Sequence, residues 1–440
     1  MAAPDAILTT TTSDDLESSK RGGYPASVQS GIPKLSPTPK GWRRTPLGAH
    51  LHEIRRPASL ESERQYTLVT VKRSRGGVEK REVLRGSEVK TPSQYFIEQG
   101  DFLISKRQIV HGACGLVPAE LGGAVVSNEY AVLGTDDEID LGFLRYLSET
   151  KYFQQTCFHS SVGVHIEKML FRIEHWLRWP FNIPPLAEQQ RIAGLLNTWD
   201  CAIAQTDSLL LASRMEKQAL MKLVFAPHHP ADWKNFGWKR IPLGEIVNVD
   251  AESLTNETSS DFEFRYISLA DVEAGKISSD LSLYKFSTAP SRARRIVRPG
   301  DILMSTVRPH LKGFSRTTEA QRGCIASTGF AVLSCREGTN SGYVYHYLYS
   351  DDIQRQLNAL VAGSNYPAIN SAEVEDLLMN APSMADQERI VSMLDAQDDR
   401  ILALERQIDL LVLEKRVLMQ QLLAGGRRVR LSGRNTEVCA

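Results

Sequence analysis

"LAEQQRIAGLLNTWDCAI", residues 186–203, returns almost two hundred residues later as "MADQERIVSMLDAQDDRI", residues 384–401. Gln189 keeps step with Gln387, Arg191 with Arg389, Ile192 with Ile390 and Asp200 with Asp398, each at an interval of 198 residues (398 − 200). Stepping alternately by four and three from the first isoleucine gives Ile192, Leu196, Trp199, Ile203, Thr206, Leu210, Ser213, Lys217, Leu220 and Val224. The second copy gives Ile390, Leu394, Gln397, Ile401, Leu404, Ile408, Leu411, Lys415, Leu418 and Leu422. A mainly apolar seam over more than four heptads is the pattern of a coiled coil. Pro184 and Pro185 suit the first turn of one helix, and Ser383 with Asp386 resembles a capping box at the start of the other. Pro227 and Pro230 close the first helix, and Gly425 and Gly426 close the second. At 1.5 Å per residue, each segment is a rod of about 50 Å.

The echo runs through the rest of the chain. "GWRRTPLG" from Gly41 answers "GWKRIPLG" from Gly237, and "QGDFLIS" from Gln99 answers "PGDILMS" from Pro299. "SNEYAVL" from Ser127 answers "STGFAVL" from Ser327, and "LGFLRYL" from Leu141 answers "SGYVYHY" from Ser341. Landmarks kept in one order at a nearly fixed interval mark an internal duplication. Each half opens with short β-branched and aromatic runs bounded by turn residues ("YTLVTVKR", "DFLIS", "GAVVSNEYAVL", "DILMSTV", "CIASTGFAVL"). Helical patterns follow in "LGFLRYLSETKYFQQ" and "SGYVYHYLYSDDIQRQLNAL".

These patterns predict an α+β protein with two mixed α/β domains, at 41–183 and 227–382, each followed by a helical region, at 184–226 and 383–424. Residues 1–40, rich in Thr, Ser, Gly and Pro, read as a disordered tail, and 425–440 as a second tail. The short link after the first helix keeps the second domain near that helix's C-terminus. Helices pairing within the chain therefore run antiparallel, with the domains held apart at opposite ends and a pseudo-twofold relation between the halves. Lys217 and Lys415 fall at equivalent seam positions, where a charge is costly unless paired. Antiparallel register predicts Lys217 beside Asp398, and Lys415 beside Asp200; the alternative is that both lysines snorkel from frayed helix ends.

Composition narrows the function. In 440 residues, 42% apolar and 24% charged, the formal net charge is zero, so any anion-binding surface is local. Six scattered cysteines without a C-x-x-C pair suit a reducing cytoplasm and match neither a disulfide framework nor a zinc site. No uncharged apolar run reaches spanning length, and the first forty residues carry no secretory h-region. Among catalytic signatures, the chain lacks a phosphate-binding G-x-x-x-x-G-K-[ST], an H-E-x-x-H and a G-x-S-x-G. "NIPP" at Asn182 departs from the Asn-Pro-Pro-aromatic signature of amino-methylating DNA enzymes at Ile183. The histidines of "HLH" (50–52) and "HH" (228–229) lack further ligands at metal spacing, so no metal site is expected.

Positive charge collects in corresponding stretches of the two halves. The first spans 64–107, where glutamates are interleaved, and the second spans 285–322, with only Asp301 and Glu319 against nine basic residues. Arginine suits bidentate contact with guanine or phosphate. The candidates for such contact are Lys72, Arg73, Arg75, Lys106 and Arg107 in the first domain. In the second they are Arg292, Arg294, Arg295, Arg308, Lys312 and Arg316, joined by Asn365 and Tyr366 in a Gly-Ser loop, for which the alternative is a core-adjacent turn.

"IPPLAEQQRIAGLLNTWDCAI" with "KQALMKLVF", and "DQERIVSMLDAQDDRI" with "KRVLMQQLL", resemble the conserved helices of the specificity subunits of type I restriction–modification systems. The resemblance covers about Gly41 to Ala424. It implies that the globular parts are target recognition domains, each reading half of a split DNA sequence, with the antiparallel helices as a ruler. It further implies two methylation subunits that carry S-adenosylmethionine and two motor–nuclease subunits that use ATP and magnesium. This chain would then bind no cofactor and perform no catalysis itself. A rod of about 50 Å corresponds to roughly 15 base pairs. "SSVGVHIEKMLFRIEHWLRWPFNIPP" of the first half has no close counterpart in "AGSNYPAINSAEVEDLLMNAPS" of the second, so roles do not transfer between those stretches. The alternative is a non-catalytic protein scaffold, two binding modules separated by a coiled coil, distinguishable by salt-sensitive duplex binding.

Overall fold

The computed structural model describes residues 27–28, 31–91, 93–225, 238–362 and 367–428. Contacts divide the chain into two compact units, Met1–Gln205 with Asp409–Ala440, and Thr206–Ile408. The division falls inside both long helices. Each unit thus holds one globular domain, the first part of the helix that follows it, and the last part of the other long helix.

In the first unit, the strand Arg43–Pro46 pairs antiparallel with Pro180–Ile183, Arg43 opposite Ile183. The domain therefore closes on itself at the point where its long helix begins. A four-stranded sheet runs in the order 51–53, 130–135, 102–105, 114–116. A five-stranded sheet runs 57–58, 94–96, 125–127, 65–71, 78–85. Three helices follow: Leu141–Ser148 (α1), Lys151–His159 (α2) and the short Ile173–Trp176 (α3). The stretch read as one helical pattern breaks between α1 and α2, because the Thr150 side chain caps α2 by accepting the Phe153 N–H. Leu186–Val224 (α4) is the first long helix.

The second unit repeats this topology. Lys239–Pro242 pairs with Leu378–Ala381, and the four-stranded order is 247–249, 330–335, 302–305, 314–316. The other sheet runs 283–285, 263–267, 325–327, 293–296, the first unit's order without its 57–58 edge strand. Its single parallel pairing, 263–267 with 325–327, corresponds to 65–71 with 125–127. Ser341–Leu348 (α5), Asp351–Leu360 (α6) and Ser371–Glu375 (α7) match α1 to α3, with Ser350 as the internal cap, before the second long helix Met384–Leu423 (α8). At 39 and 40 residues, α4 and α8 are about 60 Å long.

The helices are built into the domain cores. Ile192, Leu196, Leu418 and Leu422 share a buried cluster with Phe102, Phe143, Phe153 and Trp176. Phe225, just past α4, packs edge-on against Tyr347 at 5.1 Å in the second unit's core, beside Ile390 and Leu394. Each such aromatic contributes roughly 2–3 kcal/mol by burial. Toward the middle of the helices Thr206, Leu210 and Ser213 stay buried, whereas Ile203, Ile401, Leu404, Ile408 and Leu411 are half-buried.

The expected disorder up to Lys40 is corrected over residues 31–40. Asn182 Nδ2 donates to Ser36 O at 3.0 Å, and Thr38 Oγ1 donates to Asn182 Oδ1 at 3.0 Å. Beyond α8, Arg428 donates to Lys40 O and forms a two-point ion pair with the buried Glu188 at 2.8 Å. A proline-rich segment with few internal hydrogen bonds is ordered here by neighbours the sequence does not reveal. The rest of that tail, residues 1–26 and 29–30, and the end, 429–440, lie outside the described residues.

Candidate nucleic-acid interface and helix clamp

The repeated glutamine explains the repeated motif. Gln189 is buried in the first turn of α4; its Oε1 accepts the Asp140 N–H at 2.9 Å, and its Nε2 donates to Glu138 O and Pro184 O. Gln387 does the same with the Asn340 N–H (2.9 Å) and Pro382 O (3.1 Å). Asp140 and Asn340 are themselves the N-caps of α1 and α5. One buried amide thus ties each long helix to the start of the domain's own first helix, a linkage only a group with both donor and acceptor can make. The glutamines stood among the repeat's landmarks, but no site role was expected of them.

The interhelix lysines are placed as follows. In the first unit, Lys415 Nζ lies 2.7 Å from Asp200 Oδ1 and 5.2 Å from the Tyr146 ring centre. Asp200 also accepts the Tyr146 hydroxyl at 2.6 Å and Arg145 at 3.1 Å. In the second unit, Lys217 Nζ donates to Asp398 Oδ1 at 2.5 Å, Arg214 to Glu405 at 2.9 Å, and Arg400 to Glu216 at 3.3 Å. Within each unit the two helix segments run antiparallel, residue numbers rising on one as they fall on the other.

His346 and Asp395 form a trio with Arg316 that sequence reading did not single out. The fully buried His346 places Nε2 at 2.8 Å from Asp395 Oδ1, and Arg316 donates to the other oxygen at 3.0 Å. The His346 hydrogen bond, reinforced by Arg316, holds the Asp395 carboxyl down to about 2, while burial lowers the imidazole's own pKa. His346, Asp395 and Asp398 bring ligand atoms within 4.8 Å of one another, but Arg316 and Lys217 already engage both carboxylates. That donor set suits an ion-pair network better than a divalent cation.

In the first domain, the basic candidates gather where the turn 72–77 rests on the loop 106–112, joined by the Arg75 N–H to Gly112 O at 3.0 Å. Most meet an acid: Lys72 lies 2.7 Å from Glu79, Arg73 2.9 Å from Glu167, and Arg107 is bidentate to Glu129. Lys106 donates to Asn128 O, and Arg75 reaches only Glu149 O at 3.5 Å. In the second domain, Arg308 and Lys312 flank the turn Pro309–Leu311 between two strands of the four-stranded sheet. Both adopt left-handed backbone conformations, φ 50° and 55°, unusual for residues with a Cβ. The first domain has Gly112 at the position matching Lys312, 200 residues earlier (312 − 112), with φ 79°. The loop is pinned by the Arg308 N–H to Pro367 O and by the Ile369 N–H to Thr306 O.

Among the described residues, no carboxylate lies within ion-pair distance of Arg292, Arg308 or Lys312. Arg294 lies over the Phe286 ring at 4.9 Å. Two candidates are withdrawn. Arg295 is held by Asp250 at 2.8 Å and Arg316 by Asp395, so both serve the domain's own packing. A basic residue's position in sequence does not tell whether an acid from a distant segment will neutralise it. Asn365 and Tyr366 lie outside the described residues. No helix among the described residues is long and apolar enough to cross a membrane.

Two domains of one topology, each clamped through a buried glutamine to a long helix, define a class of internally duplicated proteins with paired antiparallel helices. Residues 235–413 match the Type I restriction modification DNA specificity domain. Among curated proteins of Methanocaldococcus jannaschii, the chain is 21% identical to the type I restriction enzyme MjaVIII specificity subunit, over 67% of this chain and 71% of that protein. It is 24% identical to the putative MjaX specificity subunit, over 56% of this chain and 59% of that one. Among solved structures, it resembles one described as the basis of complex assembly and conformational transition of the type I R-M system (TM-score 0.56, 20% identity, 88% of this chain and 99% of that chain). It also resembles the type I restriction–modification S subunit from M. genitalium (TM-score 0.54, 15% identity, 90% and 98%). Over residues 235–413 the chain is thus similar to the type I restriction–modification DNA specificity family, and it shares its fold with solved subunits of such systems.

Proposed function

We propose that the chain reads a bipartite duplex DNA target. Each globular domain takes one half-site, the long helices set the spacer, and methylation and motor–nuclease subunits are recruited to supply the chemistry. The observation that carries this reading is the pair of domains of matching topology, each presenting a basic loop after the same strand, at 106–112 and 306–313. Arg292, Arg308 and Lys312 are the leading contacts in the second domain. In the first, Lys72, Arg73 and Arg107 exchange their glutamate partners for phosphate. Base-edge and phosphate contacts divide among these residues, phosphate fixing position and base edges carrying sequence.

The chain's own role is non-catalytic. S-adenosylmethionine, ATP and magnesium belong to two methylation and two motor–nuclease subunits, in a cytoplasmic complex. Support for recruitment comes from apolar side chains on the helices that their own unit leaves exposed. Leu211 and Met215 are each 62% exposed in the second unit, as are Leu413 (55%) and Val417 (45%) in the first.

The test is adenine methylation across the genome of cells with and without this chain, in the presence of its methylation subunit. A split motif that disappears with the chain is expected. An unchanged pattern with an active methylation subunit would leave the non-catalytic scaffold as the better reading.

A further inference from the structure

Beyond the Gln387 clamp, the second globular domain grips its own helix segments at two further levels. Near the start of α8, Arg316 and His346 meet Asp395. Farther along, domain and helices part around a groove of about 1280 Å³, with Lys217, Lys312, Asp398 and Leu402 on its walls. Across that groove reaches a short hairpin, Val272–Glu273 paired with Lys276–Ile277. Lys276 Nζ lies 2.6 Å from Glu405 Oε2 on α8, and Arg214 on α4 holds the other oxygen at 2.9 Å. Both cations hold the Glu405 carboxyl below its usual pKa, Lys276 most.

The hairpin is a stiff arm. Its turn residue Gly275 has φ 83° and donates its N–H to Phe314 O at 2.9 Å, and a Cβ there would lie 2.8 Å from the Tyr345 hydroxyl. Val272 anchors the arm's base in a buried cluster.

Asp395 and Glu405 are ten residues apart (405 − 395), about 15 Å along the helix. An anchor this far along the helix resists tilting of the domain with a longer lever than the contacts near the helix start alone. Beyond its Gln189 clamp, the first domain has a single further level of polar anchorage: Arg145 and Tyr146 meet Asp200, and Glu149 approaches the same Lys415 that pairs with Asp200. It has no counterpart of the short arm, because the corresponding chain forms the long hairpin 65–85 instead.

We infer that Lys276 and Glu405 are positioning residues for specificity, a strut that sets the tilt of the second domain on its helices and thereby the spacing tolerated between half-sites. The inference rests on the bipartite reading proposed above. A one-base-pair slip, about 3.4 Å, needs a tilt of roughly 13° over a 15 Å lever, and the strut opposes that rotation without touching DNA.

The test uses the full chain with the methylation subunit of its own system, in cells carrying the wild type, Lys276→Ala, Glu405→Gln or Lys276→Arg. Adenine methylation is scored on plasmids bearing both half-sites at graded spacers. In the first two variants the half-sites are expected to stay the same. Preference for the native spacer over one base pair longer or shorter falls about three- to fivefold, the range an exposed ion pair supports. Lys276→Arg keeps the preference. Strict spacing in both charge-removing variants overturns the strut, and so does a blurred second half-site, which would make the pair part of the reading surface or the domain fold. A wild type without a split motif overturns the bipartite reading and the strut together; a split wild-type motif with unaltered variants overturns the strut alone.

Discussion

Replacing Lys312 by glycine moves stability and DNA binding in opposite directions. Lys312 holds φ 55°, ψ 38°, where a Cβ costs about 1–2 kcal/mol relative to glycine. Part of that gain is lost to the greater freedom of glycine in the unfolded chain, leaving a net stabilisation of roughly 0.5–1 kcal/mol. The duplicated domain already makes this choice, with Gly112 at the matching turn. The same substitution removes a cation to which no described carboxylate is paired. Losing one phosphate contact is expected to flatten the slope of log K against log salt by about 0.9 and weaken duplex binding a few-fold near physiological salt. Stability is read from urea titration followed by hydrogen exchange in peptides covering 300–316, and binding from anisotropy on duplex DNA at several salt concentrations. A destabilised variant with an unchanged salt slope would refute the reasoning, because Lys312 would then be a packing residue that happens to sit in a strained turn. A stabilised variant with unchanged binding would retain the strain argument and remove Lys312 from the interface.

Three further outcomes are expected. Gln387→Ala leaves the Asn340 N–H and Pro382 O unpaired and costs about 2–3 kcal/mol, seen as faster hydrogen exchange at 340–343; unaltered protection there would rule out the clamp. Lys415→Met combined with Asp200→Asn in a double-mutant cycle returns a coupling of about 1 kcal/mol, measured by denaturant unfolding, and additive effects would show that the pair is incidental. Asp395, ordinarily near 3.8 and held at about 2, contributes stability that is present above about pH 4 and lost as the pH falls toward 2. Because this carboxylate is about a third exposed, the loss is discounted to roughly 1 kcal/mol. Asp395→Asn is expected to abolish that part of the acid response, and an identical acid-unfolding profile would contradict it.

Much of this architecture is carried by local pattern. The 198-residue echo of Gln189, Arg191, Ile192 and Asp200, and the four–three spacing from Ile192 and Ile390, depend only on helical periodicity. They are legible because a helix's hydrogen bonds close within the segment. The sites where Lys217 and Lys415 meet Asp398 and Asp200 follow from the same periodicity once antiparallel register is assumed, and the distances of 2.5 and 2.7 Å fall at those pairs.

Tertiary structure decided what each charge is for. Arg295 and Arg316 look no different in sequence from Arg292 and Arg308. Their acids, Asp250 and Asp395, come from 45 and 79 residues away (295 − 250 and 395 − 316), and ion pairing depends on distance in space. Strand order was equally hidden, since ladder partners such as 65–71 and 125–127 meet only after the chain between them has folded. The strain at Arg308 and Lys312, the ordering of residues 31–40 on Asn182, and the reach of Lys276 to Glu405 have the same origin. Helical periodicity is written along the chain, whereas the partner of a loop or a charge is fixed only by long-range packing.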